Sequence, residues 1–298
     1  MRIGISSYDL PVTDFLAMSA AGEAAGFDGV WLGEHVVAPI AYDSSHPTQP
    51  ASAGSKGRAE HAGKPIVDVS VELLDPLLAL TAAAMRTRKF RLATGIYLVG
   101  LRHPLLTARA GVTLHDLSGG RFRLGIGAGW LKEEFAALDV QFTGRTSRLE
   151  EAIEVLRAAW SGGPFAYAGR HYTIAELQVA THAVDVPIIM GGNSEPALRR
   201  AARLGDGWFT SGVLSFDEAV RLRDQLDALC TKAGRARPLQ TTWRIQAADP
   251  ALVEKYRAEG FEELLVMQYS VWNGADIDAR VQGLARAGAE LGLRPATT

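Results

Sequence analysis

Eight short β-rich runs alternate with eight amphipathic helical patterns from one end of this 298-residue chain to the other. The runs are Arg2–Ser7, Gly29–Leu32, Arg91–Tyr97, Arg121–Ile126, Pro187–Met190, Gly207–Thr210, Thr241–Gln246 and Leu264–Gln268. Apolar spacing between them predicts helices such as Phe15–Ala25, Pro76–Met85, Leu105–Leu117, Arg148–Trp160 and Phe216–Ala233. Parallel strands joined by crossover helices are the expectation, and eight such units predict a (β/α)8 TIM barrel. A doubly wound open sheet is the alternative, but it seldom needs eight evenly spaced units. Nothing reads as an interdomain linker, so residues 1–298 are expected to form a single domain.

Two segments exceed the short connections of a barrel. Val36 to Leu74 follows strand 2 and carries SSHPTQPASAGSKG, a mobile-loop composition on the C-terminal face. It reads equally as an active-site lid or a tolerated insertion. Ser161 to Val186 holds FAYAGRHYTI, whose alternating Phe165, Tyr167, Tyr172 and Ile174 predict an inserted β-hairpin before strand 5.

The formal net charge is −2 with basic residues scattered, which disfavours nucleic acid and anionic membrane as partners. No signal-peptide profile or spanning apolar run is evident, so a cytoplasmic protein is expected. The single cysteine, Cys230, falls on an apolar helix face and reads as a buried thiol. No carboxylate or histidine cluster has metal-ligand spacing, and no G-x-S-x-G elbow occurs.

In a barrel, chemistry sits at the C-terminal ends of strands. Strand 2 ends WLGEHVV, placing Glu34 and His35 at the rim. Histidine exchanges protons near neutrality, so His35 is either an acid–base group or a rim residue bonded to a carboxylate. Glu34, its neighbour, is the carboxylate expected to bias it. Strand 3 ends with Thr94, Gly95 and Ile96, where a flat ligand could stack on backbone. Strand 4 runs into Gly127-Ala128-Gly129, bare backbone that a ring or phosphate can approach.

Strand 5 ends at Gly191-Gly192-Asn193 before a helix start marked by Ser194 and Pro196, an arrangement suited to phosphate. Strand 6 ends with Thr210, Ser211 and Gly212, two hydroxyls and a glycine. The bland alternative for each is ordinary loop punctuation. Two such ends on adjacent strands favour one shared phosphate. His103, His115 and His182 read as packing or surface groups. Lys56, Arg58 and His61 could meet an anion, though a solvated loop face is the simpler reading.

The motifs GFDGVWLGEH, LATGI with RHPLLTARAGVTLHDLSGGRFRLGIGAGW, and VPIIMGGNSEPALRRAARLGDGWFTSG resemble the luciferase-like monooxygenase family, in its coenzyme F420 (deazaflavin) branch. The resemblance runs nearly end to end. It implies His35 as the catalytic-site histidine beside the cofactor ring and Glu34 as an acidic ring contact. It implies a non-proline cis peptide at Gly95-Ile96 behind the ring. Gly127, Ala128 and Gly129 match a cofactor-lining loop. Gly191, Gly192, Asn193, Thr210, Ser211 and Gly212 match the phosphate-binding segments. Trp130 stands where the sugar-phosphate dehydrogenases of the family carry a functional carboxylate, so sugar-phosphate oxidation is not expected. Trp130 and Tyr8 better suit a hydrophobic or aromatic small-molecule substrate.

An F420-dependent oxidoreductase is the leading expectation. A reduced-FMN monooxygenase served by a separate flavin reductase is the alternative, and a non-catalytic flavin-binding barrel is the third. A homodimer is expected.

Overall fold

The structure, a computed structural model, describes residues 1–46, 60, 61, 64, 65 and 67–295. Eight parallel strands close a barrel: β1 (Arg2–Ser7), β2 (Gly29–Leu32), β3 (Arg91–Thr94), β4 (Phe122–Ile126), β5 (Ile188–Gly191), β6 (Gly207–Phe209), β7 (Gln240–Ile245) and β8 (Glu263–Met267). They hydrogen-bond in sequence order around the ring, and β1 closes on both β2 and β8. The expected TIM barrel is therefore present, and the open sheet is excluded.

The helices are α1 (Val12–Ala24), α2 (Pro76–Ala84), α3 (Pro104–Ser118), α4 (Lys132–Ala137), α5 (Arg145–Ala159), α6 (Glu195–Leu204), α7 (Phe216–Lys232), α8 (Pro250–Ala258), α9 (Gln268–Val271) and α10 (Ile277–Glu290). Local chemistry fixes their starts. Asp75 accepts hydrogen bonds from the N–H groups of Leu77 and Leu78, and Pro76 begins α2. Ser215 and Glu218 form a reciprocal capping box on α7. Gly119, at φ +62°, ends α3 in a left-handed turn ahead of β4.

Two of the core clusters build the barrel itself. A large one between strands and helices includes Ile3, Phe15, Leu80, Leu156, Trp243 and Ile245. A smaller one plugs the lumen with Trp31, Ala93, Ile189, Phe209 and Leu265, and the rings of Trp31 and Phe209 stack at 4.7 Å. This plug is the floor on which the site is built.

The inserted hairpin is formed by Phe165–Ala168 and Thr173–Leu177, antiparallel as expected. The long segment after β2 contributes a small ribbon, Glu60–His61 against Lys64–Pro65. Lys56, Arg58 and most of the Ser/Pro/Gly-rich stretch lie outside the described residues. The flanks of that stretch are tied to α4. Glu133 accepts from the N–H of Asp43 and the hydroxyl of Ser44, and Tyr42 and Val67 pack on Leu131. Cys230 is buried and free. No helix among the described residues is long and apolar enough to cross a membrane.

Candidate active site

β3 stops at Thr94, three residues short of the predicted run, because the chain bulges there. The Gly95–Ile96 peptide is cis. Gly95 N–H donates to Leu32 O at the end of β2, and Tyr97 resumes pairing by donating to Gly125 O. The bulge projects the Ile96 side chain across the barrel mouth. A Cβ on Gly127 would stand 2.4 Å from Ile96 Cδ1, and one on Gly191 2.8 Å from Ile96 Cγ2. These glycines are bare so that Ile96 can lie on them. Over Gly127, expected as bare backbone for a ring or phosphate, and over Gly191, expected in a phosphate cradle, the nearest side chain is Ile96. Gly129 has φ +79°, and its carbonyl accepts from Arg145 Nε at 3.1 Å. Ala128, half-buried between them, packs against the main core.

Beside this floor stands His35, 9% exposed. Its Nδ1 lies 3.2 Å from Oε2 of Glu134, whose other oxygen accepts from Val36 N–H. Glu134 is fully buried in the first turn of α4. The carboxylate beside the imidazole is therefore Glu134, not Glu34. Glu34 points toward β3, where it accepts from Leu98 N–H at 2.7 Å and forms an ion pair with Arg102. Burial pushes the Glu34 carboxyl up, and the Arg102 charge and hydrogen bond oppose that rise. Arg102 in turn caps the Tyr97 ring at 4.3 Å. Glu34 is thus a buried brace between β2 and the segment after β3.

Rings close the other side. Trp130 meets His35 edge-on at 5.6 Å, Tyr42 at 5.9 Å and His46 at 5.2 Å, while Tyr8 meets His35 at 6.2 Å. Burial, reinforced by the charges of His35 and Arg244, lowers the His46 pKa to about 4. Burial and then the Asp9 and Glu134 carboxylates push the Tyr8 phenol far up, so it stays protonated. Aromatic edges line this space.

The ends of β5 and β6 lie side by side, as expected. Gly192 has φ +114° and its carbonyl accepts from Trp208 Nε1 at 2.8 Å. Asn193 spends its amide on Ser211, donating to its carbonyl at 2.7 Å and accepting from its N–H at 2.8 Å. Its side chain therefore shapes the cradle from behind. Gly212, at φ +73°, continues the turn. Thr210 is buried, and its hydroxyl has no hydrogen-bond partner among the described residues. Ser194 makes no side-chain cap at the start of α6, leaving the first-turn N–H groups of that helix to other acceptors. An orphan buried hydroxyl, backbone without Cβ and an uncapped helix start fit a phosphate group.

The predicted residues thus gather at one barrel mouth, with Glu34 turned aside. Glu134 and Arg244 were missed. The signal for Glu134 was present: consecutive acids, Glu133 and Glu134, opening a helix directly after a glycine-rich strand end. Among the described residues no cluster of three or more His, Cys, Asp or Glu could hold a metal.

Known proteins resemble the chain in sequence and in fold. An uncharacterised protein of Mycobacterium tuberculosis is 31% identical over 78% of this chain and 78% of its own. The F420-dependent hydroxymycolic acid dehydrogenase of the same organism is 29% identical over 65% of this chain and 47% of its own. The crystal structure of the monooxygenase RslO1 from Streptomyces bottropensis superposes with a TM-score of 0.75, at 17% identity over 98% of both chains. The luciferase-like monooxygenase family model matches residues 2–259. With that match over most of its length, the chain belongs to the luciferase-like monooxygenase family, as an enzyme of its oxidoreductase and monooxygenase group.

Proposed function

We propose that the chain is an F420-dependent oxidoreductase that passes a hydride to or from a small, hydrophobic or aromatic substrate. The observation that carries this reading is the reach of the Gly95–Ile96 bulge. Gly95 bonds to Leu32, three residues before His35, and Ile96 packs on Gly191 beside the Thr210–Gly212 cradle. A tricyclic ring with a ribityl phosphate suits that span, with the phosphate held by Gly192, Thr210, Ser211, Gly212 and the start of α6. The name of the F420-dependent relative supports the deazaflavin over other ring systems.

When bound, the cofactor supplies the hydride chemistry. The protein supplies orientation and a proton. His35 Nδ1 is committed to Glu134, so Nε2 is the atom that gives or takes the proton accompanying hydride transfer. Trp130 and Tyr8 exclude water around it and present ring edges to the substrate.

The second reading is a reduced-FMN monooxygenase, because floor and cradle suit the ring and ribityl phosphate of FMN equally. An anaerobic assay tests the first: protein, reduced F420 and a panel of ketones, with recovery of the oxidised-cofactor absorbance as the readout. Turnover that falls by about 10²–10⁴-fold in His35→Ala at unchanged cofactor affinity supports the assignment. Wild-type turnover in His35→Ala sinks it.

A further inference from the structure

Arg244 enters the barrel lumen from β7 at the level of the cis bulge. Side chains alternate along this strand, so Trp243 and Ile245 join the outer core while Arg244 turns inward. Its Nε donates to Ser6 Oγ at 3.0 Å and its Nη2 to Gly95 O at 2.8 Å. Its guanidinium lies 4.4 Å over the Phe209 ring. Nη1 makes no hydrogen bond among the described residues, and no Asp or Glu among them forms an ion pair with the group. Arg102 is matched by Glu34, and Arg2, Arg91 and Arg123 by Glu263, whereas Arg121 is held by carbonyl oxygens and the Thr87 hydroxyl.

A cation taken from water without a counter-charge is unfavourable, and proteins retain one where something else supplies the charge. Burial alone lowers the Arg244 pKa, to about 10, so the group remains charged at neutrality. His35 and His46 both meet the Trp130 ring edge-on at the same barrel mouth.

We propose that Arg244 is the anion-recognition residue of this site, and that it takes a planar, delocalised monoanion on its open Nη1 edge. A flat fork of donors favours a carboxylate or a deprotonated ring imide over a compact charge. Two sources share that chemistry: a substrate carboxylate, and the reduced cofactor ring, whose negative charge spreads over its pyrimidine edge. The proposal deepens the reading above and rests on it only for the second source.

Calorimetric titration separates the two. Benzoate and benzamide form one arm, oxidised and reduced F420 and FMN the other, each run anaerobically on wild type, Arg244→Met and Arg244→Gln. Arg244→Gln can still bond to Gly95 O, so it covers the case in which Arg244→Met does not fold. A substrate carboxylate predicts benzoate at least tenfold tighter than benzamide in wild type, with the preference lost in the neutral variants. A cofactor source predicts that these variants weaken the reduced form at least tenfold more than the oxidised form. No charge preference in either arm of wild type, or preferences unchanged in both variants, overturns the proposal. Failure of both cofactors to bind wild type would refute the cofactor reading while leaving the benzoate arm to decide on Arg244.

Discussion

Nδ1 of His35 lies 3.2 Å from Oε2 of Glu134, a carboxylate with no solvent exposure 99 residues further along the chain. The same carboxylate accepts from Val36 N–H, so one side chain clamps both the imidazole and the backbone that carries it. As an acceptor, Glu134 draws the ring hydrogen to Nδ1 and leaves Nε2 bare toward the site. The β2 and β4 ends are joined through this pair.

Glu134→Gln is expected to loosen the tautomer without emptying the site. In ¹⁵N spectra of histidine-labelled protein, wild-type His35 should show a protonated Nδ1 and a bare Nε2. The variant should shift toward the mixture of free imidazole. Turnover should fall by about 10²-fold or more while cofactor affinity holds. An unchanged ¹⁵N pattern would reduce Glu134 to a packing residue.

The glycine floor makes a stability prediction. An alanine at 191 places its Cβ 2.8 Å from Ile96 Cγ2. Overpacking of this kind costs about 1–3 kcal/mol. Urea unfolding should show that loss in Gly191→Ala and a recovery of most of it in Gly191→Ala/Ile96→Ala, relative to Ile96→Ala alone. Additive effects would mean that Ile96 is not what the missing Cβ makes room for.

His46 predicts a dependence on acid. Its folded pKa of about 4 lies below the ordinary 6.5, so the unfolded chain binds the extra proton first as pH falls. The stability tied to neutral His46 is complete above 6.5 and is lost progressively as pH drops toward 4. Between pH 7 and pH 5 the loss should be about 2 kcal/mol. Urea unfolding of wild type and His46→Gln at both values measures it as the difference between their acid sensitivities. Equal sensitivity would show that His46 is solvated.

Much of the barrel was legible because strand and helix periods differ and the strands are short, apolar and evenly spaced. The positions of His35 and of the β5 and β6 ends followed from topology, which sends every strand end to one face. What remained hidden depends on contacts distant in sequence. The ion pair that turns Glu34 toward Arg102 spans 68 residues, and the Arg244 bond to Gly95 spans 149. Neither has a local pattern. The glycines of strands 4 and 5 were read as bare backbone for a ligand, and what lies against Gly127 and Gly191 is Ile96. Only the three-dimensional path of the cis bulge shows that.

One titration decides whether a deazaflavin sits on this floor with its phosphate between β5 and β6. Oxidised F420 and FMN are added side by side to wild type and Gly192→Leu, with intrinsic tryptophan fluorescence reporting binding. F420 should bind wild type, and its affinity should fall tenfold or more in a folded Gly192→Leu. Tight binding of FMN alone, or F420 affinity unchanged in Gly192→Leu, would contradict that placement.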